Sequence, residues 1–181
     1  SLAYTFSDSF WFSAVESEVY ALAMFFLAST FWLGLRWEKD FYTERGDKWL
    51  VLISFMIGLS FGVHFMAILT IPAIGMIYYF KKYKKITIKN FLFANIISVS
   101  ILLFIFKLLL PSTLGFFGQL EVFFVNSIGL PFNSGTIIAA ILVILFFYKA
   151  LNYSRKKGKV NLNTLILCTL FIFVGFSSWM M

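Results

Sequence analysis

The sequence predicts an all-α, polytopic membrane helix bundle, and three observations carry that prediction. Of the 181 residues, 61% are hydrophobic and 21% aromatic, while only 13% are charged. An ordinary soluble domain carries about 25% charged residues. The mean hydropathy is +0.90, and apolar runs close to the roughly 20 residues needed to cross a bilayer recur along the chain. The basic residues behind the net charge of +7 fall in short clusters between those runs. That is the pattern of cytoplasmic loops, so the charge implies no nucleic-acid partner. The single Cys168 excludes an intrachain disulfide.

About six spans follow in order, near residues 17–36, 49–63, 66–80, 90–110, 136–153 and 163–181. The first ends in "LRWEKD". The fourth is expected to stop at Pro111, and "SRKKGK" separates the last two. The stretch 49–80, "WLVLISFMIGLSFGVHFMAILTIPAIGMIYYF", would be about 48 Å long as one helix, against a hydrocarbon core of about 30 Å. It is either one steeply tilted helix or a short hairpin folded back near Gly62–Met66.

Charge placement favours the hairpin. Residues 81–89 carry Lys81, Lys82, Lys84, Lys85 and Lys89, and residues 154–159 carry Arg155, Lys156, Lys157 and Lys159. Both loops belong inside by the positive-inside rule. With a hairpin, loop 37–48 joins them together with Arg36, so that Arg36, Lys39, Arg45 and Lys48 lie inside and Lys107 is left on the outer side. The inner loops are then 37–48, 81–89 and 154–162, and the outer loops are 6–16 and 111–135. Asp8, Glu16, Glu18 and Glu121, the four acids outside the 38–47 cluster, all face out, with His64 at the outer tip of the hairpin.

"FWFSAVESEVY", residues 10–20, sets Glu16 and Glu18 at the mouth of an apolar helix. Two residues apart, they lie about 200° from each other around a helix. They share no face, and they form no carboxylate pair of the glycosidase kind. Their plainest role is that of solvated acids at the positive end of the helix dipole, with Ser9 or Ser13 as N-cap. His64, the single histidine, reads most simply as a polar turn residue or a hydrogen-bonder at a helix terminus; its functional alternative is contact with an anionic group such as a phosphate. No second His or Cys stands near it to build a metal site. "GLSFG", Gly58 to Gly62, is a small-xxx-small pattern suited to close helix packing. "GLPFNSG", Gly129 to Gly135, reads as turn chemistry, and the aromatic "FFGQLEVFFVNSIG" before it suits the outer interface. The sequence holds no nucleotide fingerprint or nucleophile elbow.

Three stretches carry a resemblance: "LAYTFSDSFWFSAVESEVYAL", "WLVLISFMIGLSFGVHFMAILTIPAIGMIYYFKKY" and "EVFFVNSIGLPFNSGTI". They resemble segments of a bacterial multi-span membrane family long described as a domain of unknown function (DUF2723-type). That family is similar to the protein O-mannosyltransferases and to the GT-C class of membrane glycosyltransferases. The resemblance runs over nearly all of the chain. It implies transfer of a sugar from a polyprenyl-phosphate carrier to an acceptor hydroxyl, on a protein or glycan, at the extracytoplasmic face of a bacterial inner membrane. Glu18 matches the acid on the helix after the short outer loop, with Glu16 as runner-up. His64, with Asp8 and more weakly Lys107, would meet the substrate. The lipid-linked sugar is a donor substrate; no cofactor is firmly implied, and a role for a divalent metal stays open.

The class places its principal catalytic acid in a large first outer loop. Since the chain starts at Ser1 without an initiator Met, it is expected to be an internal piece that lacks this acid and is inactive alone. The competing reading is a transporter or flippase segment for a lipid-linked or small anionic substrate. Transporters bury ionisable residues near the midplane, whereas the clear spans here carry none. A structural subunit is a third possibility, but it leaves the outward acids unexplained.

Overall fold

The computed structural model describes residues 7, 8, 11, 20–43, 45–83 and 85–178. Among them all regular structure is helical: α1 (Tyr20–Lys39), α2 (Lys48–Ser60), a 3₁₀ turn (Phe65–Leu69), α3 (Thr70–Lys82), α4 (Ile88–Leu103), α5 (Leu110–Val122), α6 (Ser134–Lys156) and α7 (Val160–Ser177). The protein is an all-α membrane helix bundle. The helices present large apolar side chains outward, such as Phe93, Ile96, Ile144 and Phe146. Exposed apolar surface on this scale belongs against lipid rather than water.

Four helical segments are long and apolar enough to cross a membrane: Phe65–Lys82, Ile88–Ser127, Ser134–Lys156 and Val160–Ser177. The 13-residue α2 is a shorter apolar helix. At 1.5 Å per residue it reaches about 20 Å, less than the hydrocarbon thickness.

Two features bear on the sequence reading. The chain does break inside 49–80: α2 ends at Ser60, and the 3₁₀ turn begins at Phe65. Pro111, however, does not end the fourth helix. Helical backbone continues from Ile88 to Ser127 through two π-turns, Phe104–Leu109 and Phe123–Ser127. Pro111 sits in the first turn of α5, where a missing N–H costs least. The π-turn immediately before it loosens the ladder where Pro111 cannot donate.

The chain divides into two compact units, Ser1–Thr70 with Phe171–Met181, and Ile71–Leu170. In the first, α1, α2 and the 3₁₀ turn pack on one another around Ala23, Phe26, Leu33, Trp37, Ile53, Ile57 and Ile68. Gly58 lets α2 approach the end of α7 closely: a Cβ there would meet the Ile172 carbonyl and Gly175. Gly175 in turn faces Phe55 and Leu59. The aromatic pairs Phe55–Phe171 and Phe61–Phe176 flank this crossing. Buried hydroxyls turn back on their own helices. Thr30 donates to the Phe26 and Leu27 carbonyls at 2.9 Å, Ser54 to Leu50 at 2.9 Å and Ser60 to Ile57 at 2.7 Å. Each polar group is thereby satisfied without water.

The loop after α1 closes on itself. The Trp49 indole N–H donates to the Asp40 carboxylate at 2.7 Å. The Arg36 guanidinium lies 5.2 Å from the Trp32 ring and 5.9 Å from the Trp49 ring, a cation–π arrangement.

In the second unit, Gly75 of α3 packs against Ser98 of α4. The Thr87 hydroxyl accepts from the Asn90 N–H at 3.3 Å and caps α4. α5 and α6 form a close pair in which Gly135 fits against the backbone of Leu120 and Glu121. α6 and α7 are joined at Gly158, whose φ of 62° reverses the chain at little cost, and Ser154 donates to Asn163 at 3.1 Å across the turn.

Candidate functional site

His64 occupies the break between α2 and the 3₁₀ turn. Its extended backbone (φ −165°, ψ 136°) makes it the residue that caps that turn, yet its imidazole caps nothing. The main chain alone closes the end of α2: the His64 N–H donates to Ser60 at 2.7 Å, the Val63 N–H to Ser60 at 3.1 Å and the Gly62 N–H to Leu59 at 3.2 Å. The His64 ring stacks on Phe65 (4.7 Å, 26°) and lies 5.7 Å from the Tyr20 ring. Its Nδ1 is buried and has no hydrogen-bond partner among the described residues. A buried polar nitrogen left unmatched is costly and requires an explanation. Helix capping, the plainest role for a lone histidine at a helix end, is not what this side chain does.

Tyr20 begins the described part of α1. Its contact with His64 brings the start of α1 to the tip between α2 and the 3₁₀ turn, within one compact unit. The sequence reading did not single out Tyr20, although it closes the "EVY" that contains Glu18.

The other expected site residues fall as follows. Glu16 and Glu18 lie outside the described residues. Asp8 is exposed. Lys107 is exposed in the π-turn Phe104–Leu109 of the second unit. It stands nineteen residues after Ile88, about 28 Å along a helix, close to the thickness of a hydrocarbon core. Its position therefore suits an ammonium reaching the interface.

Glu121, the remaining acid outside the 38–47 cluster, has a structural task. Its carboxylate accepts from the Asn133 N–H at 2.6 Å, the Thr136 N–H at 2.8 Å and the Thr136 hydroxyl at 3.0 Å. It caps α6 from the neighbouring helix, where Asn133, in the left-handed conformation (φ 70°), offers no side-chain cap of its own. An anion there also faces the positive end of the helix dipole. Among the described residues no group of three or more His, Cys, Asp or Glu side chains gathers as a metal site would require.

With this geometry in place, comparison with known families bears on the first unit. Residues 1–87 match the family model of the Protein O-mannosyl-transferase TMEM260 N-terminal domain. The match takes in both "FWFSAVESEVY" and "GVH", the stretches that hold Glu18, Tyr20 and His64, and it stops before α4. This similarity to a protein O-mannosyltransferase family fits the glycosyltransferase-like role implied by the sequence. No curated protein and no solved structure matches the chain.

Proposed function

We propose that the chain forms part of an integral membrane glycosyltransferase. It would move a sugar from a polyprenyl-phosphate carrier to an acceptor hydroxyl, in the first instance on a protein, at the extracytoplasmic face of a bacterial inner membrane. In this reading the chain is of the GT-C class, close to the DUF2723-type family. The observation that carries the proposal is the Tyr20–His64 contact inside the segment similar to the O-mannosyltransferase family model.

Glu18 is two residues from Tyr20 in sequence, a tether of at most about 7 Å. In this reading Glu18 and the His64 imidazole serve one reaction. Glu18 orients or deprotonates the acceptor hydroxyl, a role that typically contributes about 10²–10⁴-fold. In this reading the half-buried His64 imidazole meets the carrier phosphate, in a hydrogen bond strengthened by the phosphate's charge. Glu16 is the secondary candidate acid; Asp8 and, more weakly, Lys107 are assigned to substrate binding by the resemblance alone.

The test is sugar transfer from a labelled polyprenyl-phosphate donor in membranes that carry the whole protein. Transfer to an acceptor hydroxyl is the expected outcome. If no donor supports transfer while a lipid-linked or small anionic substrate moves across the membrane, the transporter reading takes its place.

A further inference from the structure

We propose that the two basic loops of the second unit are docking surfaces for the headgroups of anionic phospholipids. Within 81–89, "KKYKKITIK", five residues are lysines and none is acidic; within 154–159, "SRKKGK", four are basic and none is acidic. Lys82, Lys85, Lys89, Arg155, Lys156, Lys157 and Lys159 are exposed.

The loop of the first unit makes the contrast. Residues 36–48 hold four bases and four acids, and they close inward through the Trp49–Asp40 bond and Arg36 between two tryptophans. The second unit's loops have no acid of their own to neutralise them.

Each loop also carries the apolar part of an interfacial anchor. Ile86 is 60% exposed, Ile88 81% and Val160 67%, side chains suited to the acyl boundary beside the headgroups. One lysine of each loop leans on a tyrosine one turn earlier. The Lys82 ammonium donates to the Tyr78 hydroxyl at 2.7 Å and lies 5.2 Å from its ring; that of Lys157 lies 4.8 Å from the Tyr153 ring. Tyrosine beside lysine at a helix end is the pairing of a membrane interface, and clusters of four or more bases next to a span attract anionic lipid. Acid-free charge, exposed apolar residues and tyrosine-held lysines coincide in both loops. Together they specify a negatively charged lipid surface, whatever reaction the protein performs.

The experiment places the whole protein in nanodiscs of phosphatidylcholine with phosphatidylglycerol and reads the lipid retained around it by native mass spectrometry. Wild type should retain phosphatidylglycerol above its share of the mixture, and the preference should fall as salt rises through the range where the Debye length shortens. Lys85→Gln with Lys89→Gln, and Arg155→Gln with Lys156→Gln, should each reduce it, by roughly fivefold for each base removed near the surface. Lys39→Gln with Arg45→Gln should leave it unchanged, and the matching Lys→Arg variants should retain it. No preference in wild type, a preference insensitive to salt, or equal preference in the Gln variants of the second unit would overturn the proposal.

Discussion

The Tyr20 ring lies 5.7 Å from the His64 ring, and this contact joins the start of α1 to the break between α2 and the 3₁₀ turn. One partner sits two residues past an acid; the other carries a buried nitrogen with no partner among the described residues. Packing alone accounts for the ring contact but not for the unmatched Nδ1.

His64→Phe separates these two roles. Phenylalanine keeps a ring against Phe65 and Tyr20 and removes both nitrogens. The protein should reach the same level in membranes and unfold at a similar temperature. Sugar transfer should fall by about 10–100-fold, the equivalent of losing a hydrogen bond to a charged group at about 1.5–3 kcal/mol. Unchanged transfer would return His64 to a packing residue.

The α2–α7 crossing makes a prediction about stability alone. Gly58→Ala forces a methyl toward the Ile172 carbonyl and should destabilise the first unit by about 1–3 kcal/mol, the usual range for overpacking. Gly115→Ala is the control. A Cβ at Gly115 meets nothing within 4 Å, so the better helix former should stabilise by up to about 1 kcal/mol. Thermal unfolding in detergent distinguishes the two. A Gly58→Ala protein as stable as wild type would contradict the close crossing.

Loop 37–48 should face the cytoplasm. Thr43 is exposed and donates its hydroxyl only locally, to the Asp40 carbonyl at 2.8 Å, so a cysteine there is tolerated. Thr43→Cys should resist a membrane-impermeant thiol reagent in intact cells and react after permeabilisation. Labelling in intact cells would sink the inside assignment and, with it, the hairpin argument.

Much of the fold was legible because hydrophobic runs and basic clusters are strong local signals. Length against bilayer thickness left a tilted helix or a hairpin for 49–80, and the placement of the basic residues favoured the hairpin; the helix breaks between Ser60 and Phe65. The helix through Pro111 was not legible, since proline is an effective breaker unless a π-turn precedes it, and no residue pattern in "FIFKLLLP" announces one. The role of Glu121 was hidden for a different reason. It caps a helix that starts twelve or more residues later, and long-range capping leaves no trace in local spacing. Its one signal was an acid just upstream of a turn whose own cap residue, Asn133, turns out to be left-handed. Of the candidate site, His64 was legible as the lone histidine at a break, whereas Tyr20 became visible only through a ring contact.

The measurement that tests the central claim most directly is sugar transfer by the whole protein in membranes, comparing wild type with Glu18→Gln and Glu16→Gln at equal expression. The donor is a labelled polyprenyl-phosphate sugar. The account predicts that Glu18→Gln lowers transfer by about 10²–10⁴-fold, the range of a lost general base, and that Glu16→Gln has a much smaller effect. Equal and mild losses in both variants would contradict it and leave the two acids as helix-end charges.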